Sequence, residues 1–362
     1  MFEYYYYKMT TKIEHVTLVN PSCRLGCKHC GYPNYSPVDE SKIVEIIKNL
    51  QAKRHTVKLY DMDISSQSLR LFELTKQYED PKGFGWLNVT ENFKPNRSEL
   101  SKLEKMMVGF CLSLHGPSAD ISSMISGSKD RHARLLESFG YLRSNLPDKP
   151  VGLAMVVHKH NIEYIKEMIL LGNKLDVGFL EFINILFAGR ATSNLTRDFF
   201  LEKTDLTKAL MDIKKYSALA NYEIQLDSTW GPSTSIIPPV TVIPQAGQGN
   251  CSMFAPSLKN RFCNAGYNHV GIRLDNLLVF PCPGMTVYKE LAIGKYIDGD
   301  IKIEDNWIRT YHTEPCNSCD IYTNCLGGCR ISSIAEGLRL FGAIKRNIGQ
   351  NNCAYHVTRG AR

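Results

Sequence analysis

Between residues 13 and 190 the apolar positions switch repeatedly between a period of two and a period of about 3.6. Runs at 13–19, 56–60, 85–90, 108–114, 151–157 and 179–187 read as strands. Segments 41–50, 69–78, 98–107, 131–143 and 162–171 read as helices between them. The first is typical, with Ile43, Val44, Ile46, Ile47 and Leu50 on one face behind Asp39 or Ser41 as N-cap. Six strands alternating with helices predict parallel β/α units, an α/β fold. A helix is expected over 201–220. Residues 230–249, rich in Pro, Gly, Ser and Thr, predict an irregular bridge over the open end of those units.

Composition narrows the class. With 362 residues, 43% of them hydrophobic, the chain can bury a large core. Its net charge of +7 is spread along the sequence and gives no basic stripe of the kind nucleic acid binding needs. No apolar run reaches the roughly 18 to 20 residues of a membrane span, and the start Met1-Phe2-Glu3-Tyr4 is unlike a secretory signal. A cytoplasmic protein is expected. In that compartment twelve cysteines argue for metal or redox chemistry over disulfides.

The cysteines fall into two groups and a remainder. Cys23, Cys27 and Cys30 follow the first strand directly at x3 and x2 spacing, where an α/β barrel places its chemistry. Three thiolates are one short of a closed site, so either a metal centre keeps one open position or His29, or a distant ligand, completes a zinc knuckle. Eight more cysteines, Cys251, Cys263, Cys282, Cys316, Cys319, Cys325, Cys329 and Cys353, crowd the last third. They suffice for two cubane clusters or for a pair of zinc ribbons. Cys111 remains, in the fourth strand, as a small buried hydrophobe.

The first triplet, with His29 before its last cysteine, resembles the signature of the radical S-adenosylmethionine (SAM) superfamily. The run Cys316-x2-Cys319-x5-Cys325-x3-Cys329 resembles the SPASM extension found behind many of those barrels. The resemblance implies a partial (β/α)6 TIM-like barrel over 13–190 after an extension at 1–12. A bridging region at 191–250 and a small cysteine-rich domain at 251–362 would follow. It implies three 4Fe-4S clusters, the first binding SAM through its free iron, and a flavodoxin- or ferredoxin-type electron donor. Auxiliary cluster I would take Cys263, Cys282, Cys329 and Cys251; auxiliary cluster II would take Cys316, Cys319, Cys325 and Cys353.

The family usually grips the SAM amino group with Gly-Gly-Glu after the second strand. This chain has Tyr60-Asp61-Met62-Asp63, so Asp61 or Asp63 is the candidate replacement, with strand-end capping as the other reading. Ser113, His115 and Asn161 match places where the family contacts the ribose and carboxylate of SAM. Arg190, in a Gly-Arg-Ala segment, would pair the SAM carboxylate or tie the bridge to the barrel. For Cys111 the resemblance implies a hydrogen-atom donor as its other role.

The resemblance implies an oxidoreductase or maturase that cleaves SAM to a 5′-deoxyadenosyl radical and takes hydrogen from an unactivated C–H bond. The product would be oxidised or cross-linked, most often a ribosomally made peptide or a protein. Oxidation or epimerisation of a sugar-like metabolite in natural-product biosynthesis, and a zinc-binding scaffold without activity, are the alternatives. Only 22 residues precede Cys23, fewer than a leader-recognition domain needs, which favours a small molecule or a separate leader-peptide-binding partner.

Overall fold

The computed structural model describes residues 12–21, 23, 25–32, 38–76, 78–79, 85–227, 230, 241–242, 265–266, 268–305, 307, 330–342 and 344. Cys251, Cys263, Cys316, Cys319, Cys325, Cys329 and Cys353 lie outside them. The chain folds as alternating β/α units. In order these are β1 (His15–Asn20), α1 (Glu40–Ala52), β2 (Thr56–Asp61), α2 (Ser66–Thr75), β3 (Gly85–Val89), α3 (Arg97–Lys105) and β4 (Val108–Ser113). Next come α4 (Ala119–Ser126), α5 (Asp130–Asn145), β5 (Val151–Val157), α6 (Ile165–Leu175), β6 (Phe179–Asn184), α7 (Ala191–Asn194), α8 (Lys203–Ser217) and β7 (Glu223–Leu226).

Short capping signals set the helix starts. Asp39 accepts from the Ser41 amide at α1, and reciprocal capping boxes join Ser65 to Ser68 and Asn96 to Glu99 at α2 and α3. Between β4 and α5, where the sequence suggests only a Ser/Gly-rich loop, the chain forms α4. Ser118 caps it, Ile121 and Ile125 are buried, and Gly127 ends it at φ +78°.

β1 to β7 run parallel within two sheets. One holds β3-β4-β5-β6-β7 and ends on β8 (Thr241–Val242). The other holds β2 and β1, then β9 (His269–Arg273), β10 (Leu278–Phe280), β11 (Gly294–Ile297) and β12 (Asp300–Ile303). Ile64 N donates to Asn88 O at 2.9 Å and joins the two sheets beside β2 and β3. β4 and β5 are buried along nearly their whole length, as expected for parallel strands covered on both faces.

Inside the curved sheet, Trp86 and Phe179 meet at 4.1 Å between centroids. Gly109 and Gly152 make room for them: a Cβ there would stand 2.1 Å from the Trp86 ring and 2.2 Å from the Phe179 ring. Cys111 and Ala154, which pack with Phe179, line the space described next.

Two connections depart from the sequence pattern. β7 adds a seventh parallel strand in the stretch expected to bridge. β9 pairs in parallel with β1, His15 opposite His269, and His269 bonds Thr17 Oγ1 at 2.9 Å, so the chain returns to the first strand more than 200 residues later. The last described helix, α9 (Arg330–Phe341), is anchored by a buried Arg339 guanidinium paired to Glu202 at 2.7 Å. Among the described residues no helix is long and apolar enough to cross a membrane.

Candidate active site

The carboxyl ends of the parallel strands open on a cavity of about 170 Å³. That is an order of magnitude more than the roughly 10–15 Å³ that one water requires. Cys23, Cys27 and Cys30 all line it, as do Cys111, Ser113 and His115. The cysteine loop leaves β1 and is pinned from several sides. Lys28 N donates to Ile125 O at 2.8 Å, Arg190 Nη2 to Leu25 O at 2.8 Å, and Arg190 N to Cys30 O at 2.9 Å.

Gly189 makes the last two bonds possible. It sits at φ +51°, and a Cβ there would fall 1.9 Å from the Gly31 carbonyl oxygen. After β10, in the same sheet as β1, the 3-10 turn Pro283–Val287 closes over the loop. Tyr32 Oη bonds Thr286 Oγ1 at 3.1 Å, and Val287 lines the cavity.

Arg131, the second residue of α5, reaches this end of the cavity with 2% of its surface exposed. Its Nη1 donates to Cys27 Sγ at 2.8 Å and its Nε to Thr90 O at 2.6 Å. Burial pushes the Cys27 thiol up from its ordinary pKa, and the guanidinium opposes that shift. Burial also raises Cys23, whose Sγ lies 3.7 Å from Thr90 Oγ1. His29 and His115 pack edge to face at 4.6 Å between centroids. Burial keeps both neutral: His29 is lowered to about 4 and His115 well below its usual value. The His115 Nδ1 accepts from Val156 N at 3.3 Å.

The remaining candidates stand behind the lining. Asp61 is buried at the end of β2 and Asp63 accepts from Thr90 N at 2.8 Å, tying the β2 loop to β3. Tyr60 and Met62, not these carboxylates, line the cavity from that segment. Asn161 accepts from His158 N at 2.8 Å and donates to Val156 O at 2.8 Å and His115 O at 3.1 Å. It fixes the turn that carries His115. Arg190 holds the cysteine loop as described above. Cys282, the described member of the second cysteine group, is buried at the start of the Pro283–Val287 turn.

Residues the sequence did not single out complete the site. Besides Arg131 and Thr90, Glu181 of β6 and Asp227 after β7 line the cavity. They are 3% and 2% exposed. Glu181 carries a signal in hindsight, a lone charge in the apolar strand Phe179-Leu180-Glu181-Phe182-Ile183.

The donor set fits an iron–sulfur cluster: three thiols of one loop reach one cavity, a cation lies against one sulfur, and apolar side chains surround them. Among the described residues no three His, Cys, Asp or Glu side chains are gathered closely enough for a single metal ion. A cubane asks for no such gathering, because each thiolate takes a different iron.

No family model matches the chain. Among curated proteins it is similar to the PqqA peptide cyclase of Ruegeria pomeroyi, 25% identical over 233 residues. The match covers 62% of this chain and 56% of that protein, so it spans little more than half of the curated relative. Among solved structures it is similar to Streptococcus suis SuiB bound to its precursor peptide SuiA, with TM-score 0.63 and 15% identity over 95% of this chain and 76% of that one. Native anSMEcpe with bound AdoMet gives TM-score 0.63 at 14% identity, covering 95% of both chains. The same protein has been solved with AdoMet and the Cp18Cys peptide, at TM-score 0.61 and 15% identity over 95% of this chain and 94% of that one. At such identities the structures establish the shared fold.

Proposed function

With the radical SAM SPASM fold and the three-cysteine spacing of that superfamily as premise, we propose that the chain is a radical SAM enzyme that modifies a ribosomally made peptide. The observation that carries this reading is the meeting of Cys23, Cys27 and Cys30 with Ser113, His115 and Cys111 in one cavity, in a fold shared with proteins solved with AdoMet and with peptides.

In this reading Cys23, Cys27 and Cys30 hold a 4Fe-4S cluster. Cluster and SAM together, when bound, supply a carbon-centred radical that removes hydrogen from an unactivated C–H bond. The chain's own residues orient and enclose. Arg131 supports the Cys27 thiolate through a charge-assisted hydrogen bond. Leu25, Val156, Ile183 and Ile185 line the walls with apolar surface that keeps water from a reactive intermediate. The neutral imidazoles of His29 and His115 add no positive charge beside Arg131.

Ser113 offers a hydroxyl to SAM from the end of β4. The eight later cysteines, Cys282 among them, would hold two auxiliary clusters in a domain over 251–362, accepting the electron that an oxidised or cross-linked product leaves behind. A flavodoxin- or ferredoxin-type donor would supply the first electron, and a separate leader-binding protein would present the peptide.

The test uses the anaerobically reconstituted chain with SAM and dithionite. A random peptide pool should raise 5′-deoxyadenosine formation over the uncoupled rate, and a panel of amino sugars should not. Stimulation by the sugars alone would replace the peptide reading with the metabolite one.

A further inference from the structure

The three thiols of the cysteine loop meet three different surroundings. Cys30 packs against the apolar cluster of Val19, Tyr32 and Tyr60. Cys27 faces the Arg131 guanidinium. Cys23 Sγ lies 3.7 Å from Thr90 Oγ1 and also receives a hydrogen bond from the Leu25 main chain. The hydroxyl beside Cys23 has had no task so far.

Thr90 directly follows β3, lines the cavity and is 8% exposed. Both of its main-chain groups are held. Its N donates to Asp63 Oδ1 at 2.8 Å, and its O accepts from Arg131 Nε at 2.6 Å. A β-branched side chain has little freedom about χ1, so a threonine clamped through its amide and its carbonyl keeps its hydroxyl in one place.

Two acceptors compete for the single proton of that hydroxyl, Cys23 Sγ and the Asp63 carboxyl. Asp63 already receives the Thr90 amide. Cys23, as a cluster ligand, is a thiolate and has acceptor capacity only, which sets the direction of the bond from oxygen to sulfur. Hydrogen bonds to ligand sulfurs draw charge from an iron–sulfur cluster and favour its reduced form, the one with the extra electron. Enclosure strengthens the effect.

We propose that Thr90 sets the potential of the first cluster: its hydroxyl, aimed by Asp63 and Arg131, donates to Cys23 and eases the one-electron reduction that precedes SAM cleavage. This rests on the radical SAM reading above. It also gives Asp63 a task, as the clamp of Thr90.

The experiment is a redox titration of the full, anaerobically reconstituted chain, followed by electron paramagnetic resonance with dithionite as the one-electron source. The first cluster is identified as the signal that added SAM alters, and its midpoint is then read without SAM. Thr90→Val removes the hydroxyl and keeps the branched shape. At the potential where the unaltered cluster is half reduced, the ratio of reduced to oxidised cluster should be about threefold lower in this variant. That is a midpoint about 30 mV more negative, at 59 mV per tenfold for one electron. Thr90→Ser should restore it, and signals that SAM does not alter should keep their midpoints. Iron content and SAM affinity report the folding of both variants.

An unchanged midpoint in Thr90→Val would assign the proton to Asp63 and overturn the proposal. So would a fall in Thr90→Ser as large as in Thr90→Val, which points to packing, or a shift shared by every cluster signal. Each of those results leaves the radical SAM reading standing. No SAM-responsive signal in the unaltered chain would reject that reading and the role of Thr90 with it.

Discussion

At the cysteine end of the cavity a guanidinium faces sulfur, and two neutral imidazoles stand behind it. At the β6–β7 end two carboxyl groups, Glu181 and Asp227, line it. The two ends belong to one cavity, and burial acts on both in the same sense, raising the Cys23 and Cys27 thiols and the Glu181 carboxyl alike. The difference lies in what opposes it. Cys27 has Arg131 against it, whereas Glu181 has a second carboxyl as neighbour. The protein itself supports an anion at one end; at the other, burial and a neighbouring carboxyl favour a proton kept on Glu181.

Removing the internal cation should have the largest effect. Arg131→Met would strip a donor from Cys27 and one from the Thr90 carbonyl in a buried setting. A loss of about 2–4 kcal/mol is expected in anaerobic urea unfolding of the metal-free, reduced chain. Arg131→Lys should recover only part of it, because an ammonium lacks the planar fork that reaches both acceptors at once. Full recovery by Lys would mean that charge alone matters there.

At the other end the effect is spread over several pH units, smaller within each, and has a definite sign. The folded Glu181 keeps its proton up to about 8, while the unfolded chain releases it in the ordinary carboxylate range. The folded state therefore binds more protons between those limits, and stability falls as pH rises through them, by at most about 1.4 kcal/mol per pH unit. Glu181→Gln should flatten that slope in substrate-free protein. An unchanged slope would show that the carboxyl pair does not hold its proton.

The sequence made one of these ends readable and hid the other. Three cysteines in eight residues after an apolar strand carry their own spacing, and the local alternation of strands and helices placed that loop at the carboxyl end of β1. The β6–β7 end depends on β7, four residues long and embedded in a stretch of mixed character, so neither it nor Asp227 stood out. The α4 helix was obscured because three of its eight residues are serine. The pairing of β9 with β1 spans more than 200 residues and leaves no local trace. Arg131 read as the start of an amphipathic helix, because nothing in the sequence tells a side chain reaching over the cavity from one facing solvent.

Asp61 and Asp63 show the converse. Their type suits gripping an amino group, yet Asp63 is engaged by the Thr90 amide and neither lines the cavity. Arg190, offered either to SAM or to the bridge, holds Leu25 and Cys30 in place.

The central claim is that Cys23, Cys27 and Cys30 hold the cluster at which SAM is cleaved. Its most direct test is 5′-deoxyadenosine formation from SAM under dithionite, measured for the anaerobically reconstituted chain and for the variant with all three residues changed to Ala. The account predicts deoxyadenosine from the first and none from the second, while the variant keeps roughly eight irons, the content of two cubes. Deoxyadenosine from the triple variant, or zinc without sulfide in the unaltered chain, would contradict it.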